Sequence, residues 1–145
     1  MAHEFLTRFS LSLLCAALVA SCADKPKALS CSAPAGVSVV RYPDDVPRPV
    51  SLALSLQGRF VLPNEPFDPT DVVETGNDRR LIFVWNRASR WVVATEHGGV
   101  GYSNPIFAFD LSADRQDATL VEERVVFPET VCSTATDLLT AAPAP

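Results

Sequence analysis

The sequence predicts an all-β domain, a small antiparallel sandwich or partly open barrel of six to seven strands with at most one short helix. Three observations carry this. Runs of β-branched and aromatic residues recur between turn formers. The densest stretch, Arg79 to Leu111, is apolar on two faces at strand periodicity. Only one internal segment, Asn64 to Asp78, lacks strand character.

Leu81 to Trp85 and Trp91 to Thr95 have the length and composition of a hairpin. A turn centred on Arg87 and Ala88 pairs Trp85 with Arg90, Phe83 with Val92 and Arg79 with Glu96. Alternation then puts Leu81, Phe83, Trp85, Val92 and Ala94 on one face, with the Arg90 guanidinium over the Trp85 ring. Ile82, Val84, Trp91 and Val93 occupy the other. A hairpin with one wet side needs only one apolar face, so these strands are expected at the centre of the fold.

Gly36 to Tyr42 reads as a first strand, ended by Pro43 and the acidic turn Asp44-Asp45. Pro47 and Pro49 hold the next segment extended. Val50, Leu52, Leu54 and Leu56 alternate with small or polar residues, which predicts a second strand, and Gly58 a turn or bulge before a short strand at Phe60 to Leu62. Asp68-Pro69 has the form of a helix start, predicting a turn or two that Gly76 would stop. The acids around it, Glu65, Asp68, Asp71, Glu74 and Asp78, lack the spacing of an EF-hand and read as a solvated loop. Ile106 to Leu111 and Thr119 to Phe127 are the last strands; Glu122, Glu123 and Arg124 mark the latter as a protected edge. From Ser133 the Ala, Thr and Pro content predicts a disordered tail, from which Leu138 and Leu139 are able to dock.

The amino terminus has a different logic. Phe9 to Ala20 is an apolar run of 12 residues, preceded by Arg8, short of the roughly 20 that a spanning helix needs. It reads as an export signal. Leu18-Val19-Ala20-Ser21-Cys22 ends it and resembles the lipobox of bacterial lipoproteins, with Val19 where leucine is commonest. The resemblance implies that the Cys22 thiol takes a diacylglyceryl group, that cleavage precedes Cys22, and that further acylation, with palmitate for example, follows. At roughly 0.8 kcal/mol per buried CH₂, two or three such chains make attachment effectively permanent. In that class an aspartate directly after the cysteine favours inner-membrane retention; here Ala23 holds that place, so the resemblance implies the outer membrane, facing the periplasm. The alternative is ordinary signal cleavage after Ser21 or Ala23, which releases a free periplasmic or secreted protein.

The expected organisation is therefore a signal peptide at 1–21, a linker at 22–30, a β domain at 31–133 and a disordered tail at 134–145. Of four cysteines, Cys15 leaves with the signal and Cys22 carries lipid, so Cys31 and Cys132 remain to form a disulfide in an oxidising compartment. A zinc site is disfavoured, because the chain has no CxxC and His97 is the only histidine left after export. Loss of Glu4 and Arg8 leaves the net charge at −5, which argues against nucleic acid and against a basic membrane-binding patch.

Reactive groups gather only in the loop from Glu96 to Pro105, where Gly98, Gly99 and Gly101 permit positive φ and close approach. It is not GxGxxG, and GxSxG is absent from the chain, so neither a phosphate cradle nor a lipase-type oxyanion loop is supported. The candidate binding residues are His97, Gly98, Gly99, Gly101 and Tyr102, with Trp85, Arg90 and Trp91 if they share a sheet end. No catalytic set, metal or cofactor is assigned. The preferred reading is a non-enzymatic, lipid-anchored module that binds or inhibits an envelope protein or glycan, similar in plan to small lipid-anchored inhibitors of lysozyme-type hydrolases. Two alternatives stand beside it: an enzyme using His97 as base with Tyr102 or Ser103 assisting, and a purely structural lipoprotein.

Overall fold

The computed structural model describes residues 29–67, 79–99 and 101–141. They form a mostly β fold: one open antiparallel sheet of five strands in the order β1-β2-β3-β4-β5, with a short helix on each face. The strands are β1 (Ser38–Val40), β2 (Arg79–Arg87), β3 (Arg90–His97), β4 (Asn104–Leu111) and β5 (Ala118–Val126), and the helices are α1 (Arg48–Ser55) and α2 (Val131–Thr140). The central stretch is apolar on two sides, and the second cover is supplied by helices rather than by a second sheet.

α1 replaces the strand expected at Val50 to Leu56. Spacing by two also contains spacing by four, and the chain uses the latter: Val50 and Leu54 are buried together while Leu52 and Leu56 stay exposed. Pro49 sits in the first turn, where a missing N–H costs nothing, and Ser51 N–H donates to the Pro47 carbonyl at 3.0 Å. The strand expected at Phe60 to Leu62 reduces to a single bridge between Val61 and Arg80. Gly58, at φ +139°, is where the Arg79 side chain crosses the backbone to donate to the Gln57 carbonyl; a Cβ there would lie 2.6 Å from the guanidinium. The helix start expected at Asp68 and most of its acidic neighbours lie outside the described residues.

The β2–β3 hairpin turns over Ala88-Ser89, with Ala88 at φ 55° and Arg87 paired to Arg90. Trp85 therefore faces Val92 and Phe83 faces Ala94, a slip of two residues from the expected register. A slip of two keeps every side chain on its own face, whereas a slip of one would have inverted the sheet. Trp85, Val92 and Ala94 accordingly lie under α2, and Val84, Trp91 and Val93 on the α1 side. A bulge between Leu81 and Phe83 carries Leu81 to the α1 side and leaves Ile82 and Phe83 both on the α2 side. Arg80, not Arg79, then reaches Glu96.

α2 occupies the place where a disordered tail was expected from 134. Its buried residues, Val131, Thr134, Ala135, Leu138 and Leu139, form one helical stripe over Trp85, Val92, Ala94, Ile106 and Ala108. The Cys31–Cys132 disulfide fixes its first turn, and its last turn is held by Arg90, whose Nη1 donates to the Leu138 carbonyl at 3.1 Å. That arginine is not opposite Trp85, where the expected register would have let it lie over the ring. It makes a two-point contact with Asp110, at 2.6 and 3.1 Å, and is 7 % exposed. Trp85 stacks instead on Phe83, centroids 4.1 Å apart.

Removing one partner of a buried ion pair leaves the other charge stranded, at a cost of about 3–5 kcal/mol. Arg90→Ala should thus lower the unfolding free energy by about that amount, and adding Asp110→Ala should recover part of it. Additive losses in urea denaturation would show that the pair is not coupled.

Candidate functional site

β3 and β4 are joined by the glycine loop, closed at its base by two backbone hydrogen bonds between His97 and Ser103, 2.9 and 3.1 Å. Gly99 and Gly101 lie at φ +94° and +89°, with no atom near enough to meet an added Cβ. Backbone conformation, rather than a close approach by another group, is what selects glycine at both positions.

The loop folds Tyr102 back over the sheet. Its hydroxyl donates to Glu96 Oε2 at 2.8 Å, and Arg80 Nε donates to Oε1 of the same carboxylate at 2.6 Å. The Arg80 guanidinium lies 4.7 Å from the centre of the Phe67 ring. Pairing of Arg80 with Glu96 and of Ala94 with Ile106 sets Arg80, Glu96 and Asn104 side by side across three strands. Asn104 is fully buried; its Nδ2 donates to the Thr95 carbonyl at 3.3 Å and its Oδ1 has no hydrogen-bond partner. Burial pushes the Tyr102 hydroxyl above its ordinary value, and the hydrogen bond and charge of Glu96 add to the rise, against smaller opposing effects of Asn104 and Arg80.

Tyr102 is thus brought to Glu96. Trp85, Trp91 and Arg90 do not join it on one surface. Trp85 and Trp91 are buried on opposite faces, 1 % and 5 % exposed, and Arg90 is committed to Asp110 and α2. His97, partly exposed, holds the loop base through its backbone. Arg80 was outside the loop that the sequence singled out, and Glu96 and Asn104, within that loop, were not among its candidate binding residues. The register alone could have grouped them. Both Glu96 oxygens are occupied by donors, so the cluster orders the loop rather than presenting a free acid or base. Among the described residues no three His, Cys, Asp or Glu side chains converge for a metal ion.

A second feature opens at the β2 edge, where β1 covers only Val84 to Asn86 and the Val61 bridge covers Arg80. Between them lies a cleft of about 420 Å³, lined by Val39, Val40, Leu62 and Phe83 with Arg41 and Asp44. The cleft is half open to solvent, and its lining mixes apolar and polar groups. It joins segments about 40 residues apart in the chain, and no local motif marks it. No family model matches this chain, and neither does any curated protein or solved structure.

The raised Tyr102 value has a signed consequence. A hydroxyl whose folded-state pKa exceeds its unfolded one stabilises the fold fully below the ordinary value of 10.0, and that contribution is lost as pH rises through the folded value. The stability gap between wild type and Tyr102→Phe should shrink as pH is raised beyond 10.0. A gap that stays constant in chemical denaturation across that range contradicts the assignment.

Proposed function

We propose that this chain is a lipid-anchored, periplasm-facing envelope protein of the bacterial cell, acting as a non-enzymatic binding or inhibitor module through the cleft at the β2 edge. The lipobox-like run ending at Cys22 supports the anchor. An export route is in keeping with the Cys31–Cys132 disulfide, since such bonds persist in oxidising compartments. Among the described residues no helix is long and apolar enough to cross a membrane, and attachment in this reading is through acyl chains.

The observation that carries the binding half is the cleft itself. Its walls are mostly apolar, one cation and one anion line them, and Val39 among the lining residues is 68 % exposed. Such a site takes an apolar side chain or short segment of a partner, with Arg41 and Asp44 fixing its polar flank. The preferred partner is an envelope protein; a glycan is the alternative. The glycine loop serves the fold through the Glu96 cluster.

The reading is tested by isolating the tagged protein from membranes. Its intact mass should correspond to a chain beginning at an acylated Cys22, and Cys22→Ser should move it out of the membrane fraction. Cross-linked wild type should retain an envelope component that Val39→Asp, altered only at an exposed position, retains at least tenfold less. Equal recovery by both forms removes the cleft from the proposal, and a mass without lipid removes the anchor.

A further inference from the structure

The anchor, if it is Cys22, enters the fold at a defined place. β5 ends at Val126, opposite Asn104, beside the glycine loop, and a 3-10 turn at Pro128–Thr130 leads into α2. The first turn of α2 carries Cys132, so Cys31 is fixed at this end of the sheet, while Ser38 pairs with Asn86 at the other. The segment from Cys31 to Val37 therefore runs the length of the α2 face, and the described chain begins at Leu29, two residues before the disulfide at the glycine-loop end. Ala23 to Ser30 is eight residues and spans less than about 30 Å.

Among the described residues, that same end carries exposed apolar surface. Phe127 is 71 % exposed and Val125 63 % exposed, and Phe127 stands five positions before Cys132, at most about 18 Å of chain. An exposed phenylalanine beside the exit of a short lipid tether has the bilayer within reach. We propose that the domain rests on the membrane with its glycine-loop end down, Phe127 and Val125 entering the lipid interface. This inference rests on the lipid-anchor reading. The occupant is a lipid surface, and the attraction is apolar: Glu123 and Glu129 beside the patch are exposed and acidic, and the neighbouring cation Arg124 is paired to Glu122 at 2.6 Å, so anionic headgroups are not what holds it. The Ala88-Ser89 turn and the loop at 112–117 then point into the periplasm, clear of the bilayer.

The test uses the full chain, purified acylated and reconstituted into zwitterionic phosphatidylcholine vesicles with brominated acyl chains, which quench tryptophan by contact. Trp85 and Trp91 are buried and give a constant background. Phe127→Trp should be quenched at least twofold more than wild type, unchanged in 0.5 M salt (about a 4 Å screening length). Ala113→Trp, in the loop at the opposite end, should match wild type. Acylated, vesicle-bound Phe127→Trp quenched no more than wild type overturns the orientation alone. Equal quenching at 113 and 127 also overturns it, as does a lipid-independent blue shift that grows with protein concentration, which assigns the patch to a second copy. Chains that carry no lipid and do not float with vesicles overturn the anchor and the orientation together.

Discussion

One covalent tie, Cys31 to Cys132, decides where two parts of this molecule sit. It pins the first turn of α2, and it sets the segment from Leu29 to Val37 across the same face of the sheet. The closed loop spans a sequence separation of 101. In the chain-entropy account a loop of that length stabilises by up to about 4.7 kcal/mol, a large share of what a domain of this size has in total. α2 has ten residues, too few to persist as an isolated helix. Its stability comes from the apolar stripe it lays over Trp85 and Val92 and from being held at both ends, by sulfur at one and by Arg90 at the other.

Both faces of the sheet need such a cover because β3 is buried from Arg90 through Glu96. A central strand apolar on two sides is stable only when each side is packed, and α1 and α2 supply those layers. The polar residues that remain inside are consequently tied to fixed partners. Arg90 spans Asp110 and the end of α2, while Glu96 collects Arg80 and Tyr102 beneath the glycine loop. These contacts set the two ends of β3. Among the described residues the fold leaves open the short β1 edge with its cleft, the exposed apolar end of β5, and Leu52 and Leu56 on α1.

Much of this was legible before the structure. The strands at Leu81, Trp91, Ile106 and Thr119, the edge position of β5, the two-sided core and the Cys31–Cys132 bridge follow from local composition and cysteine count. α1 was hidden because Val50, Leu52, Leu54 and Leu56 fit both periods, and only contact with β4 and β5 decides between them. α2 was hidden by composition: its threonines and alanines read as a tail, although Val131, Ala135, Leu138 and Leu139 carry helical spacing. Hairpin register was missed by two residues, since Ala88 adopts a positive φ that its identity does not announce. That slip concealed the Arg80–Glu96 pair and, with it, the reason Tyr102 folds back. The cleft depends on contact between remote segments, so no stretch of sequence displays it.

Fold and proposed function meet in the oxidation state of the two domain cysteines, because the disulfide that holds α2 is a bond that persists in oxidising compartments, where the proposal places the chain. Alkylation of freshly lysed native cells, followed by mass analysis of the captured protein, reads that state directly. The account predicts Cys31 and Cys132 unmodified by alkylating reagent until a reductant is added. Finding both thiols alkylated at once, in protein bearing its full helical and sheet signature, would contradict it.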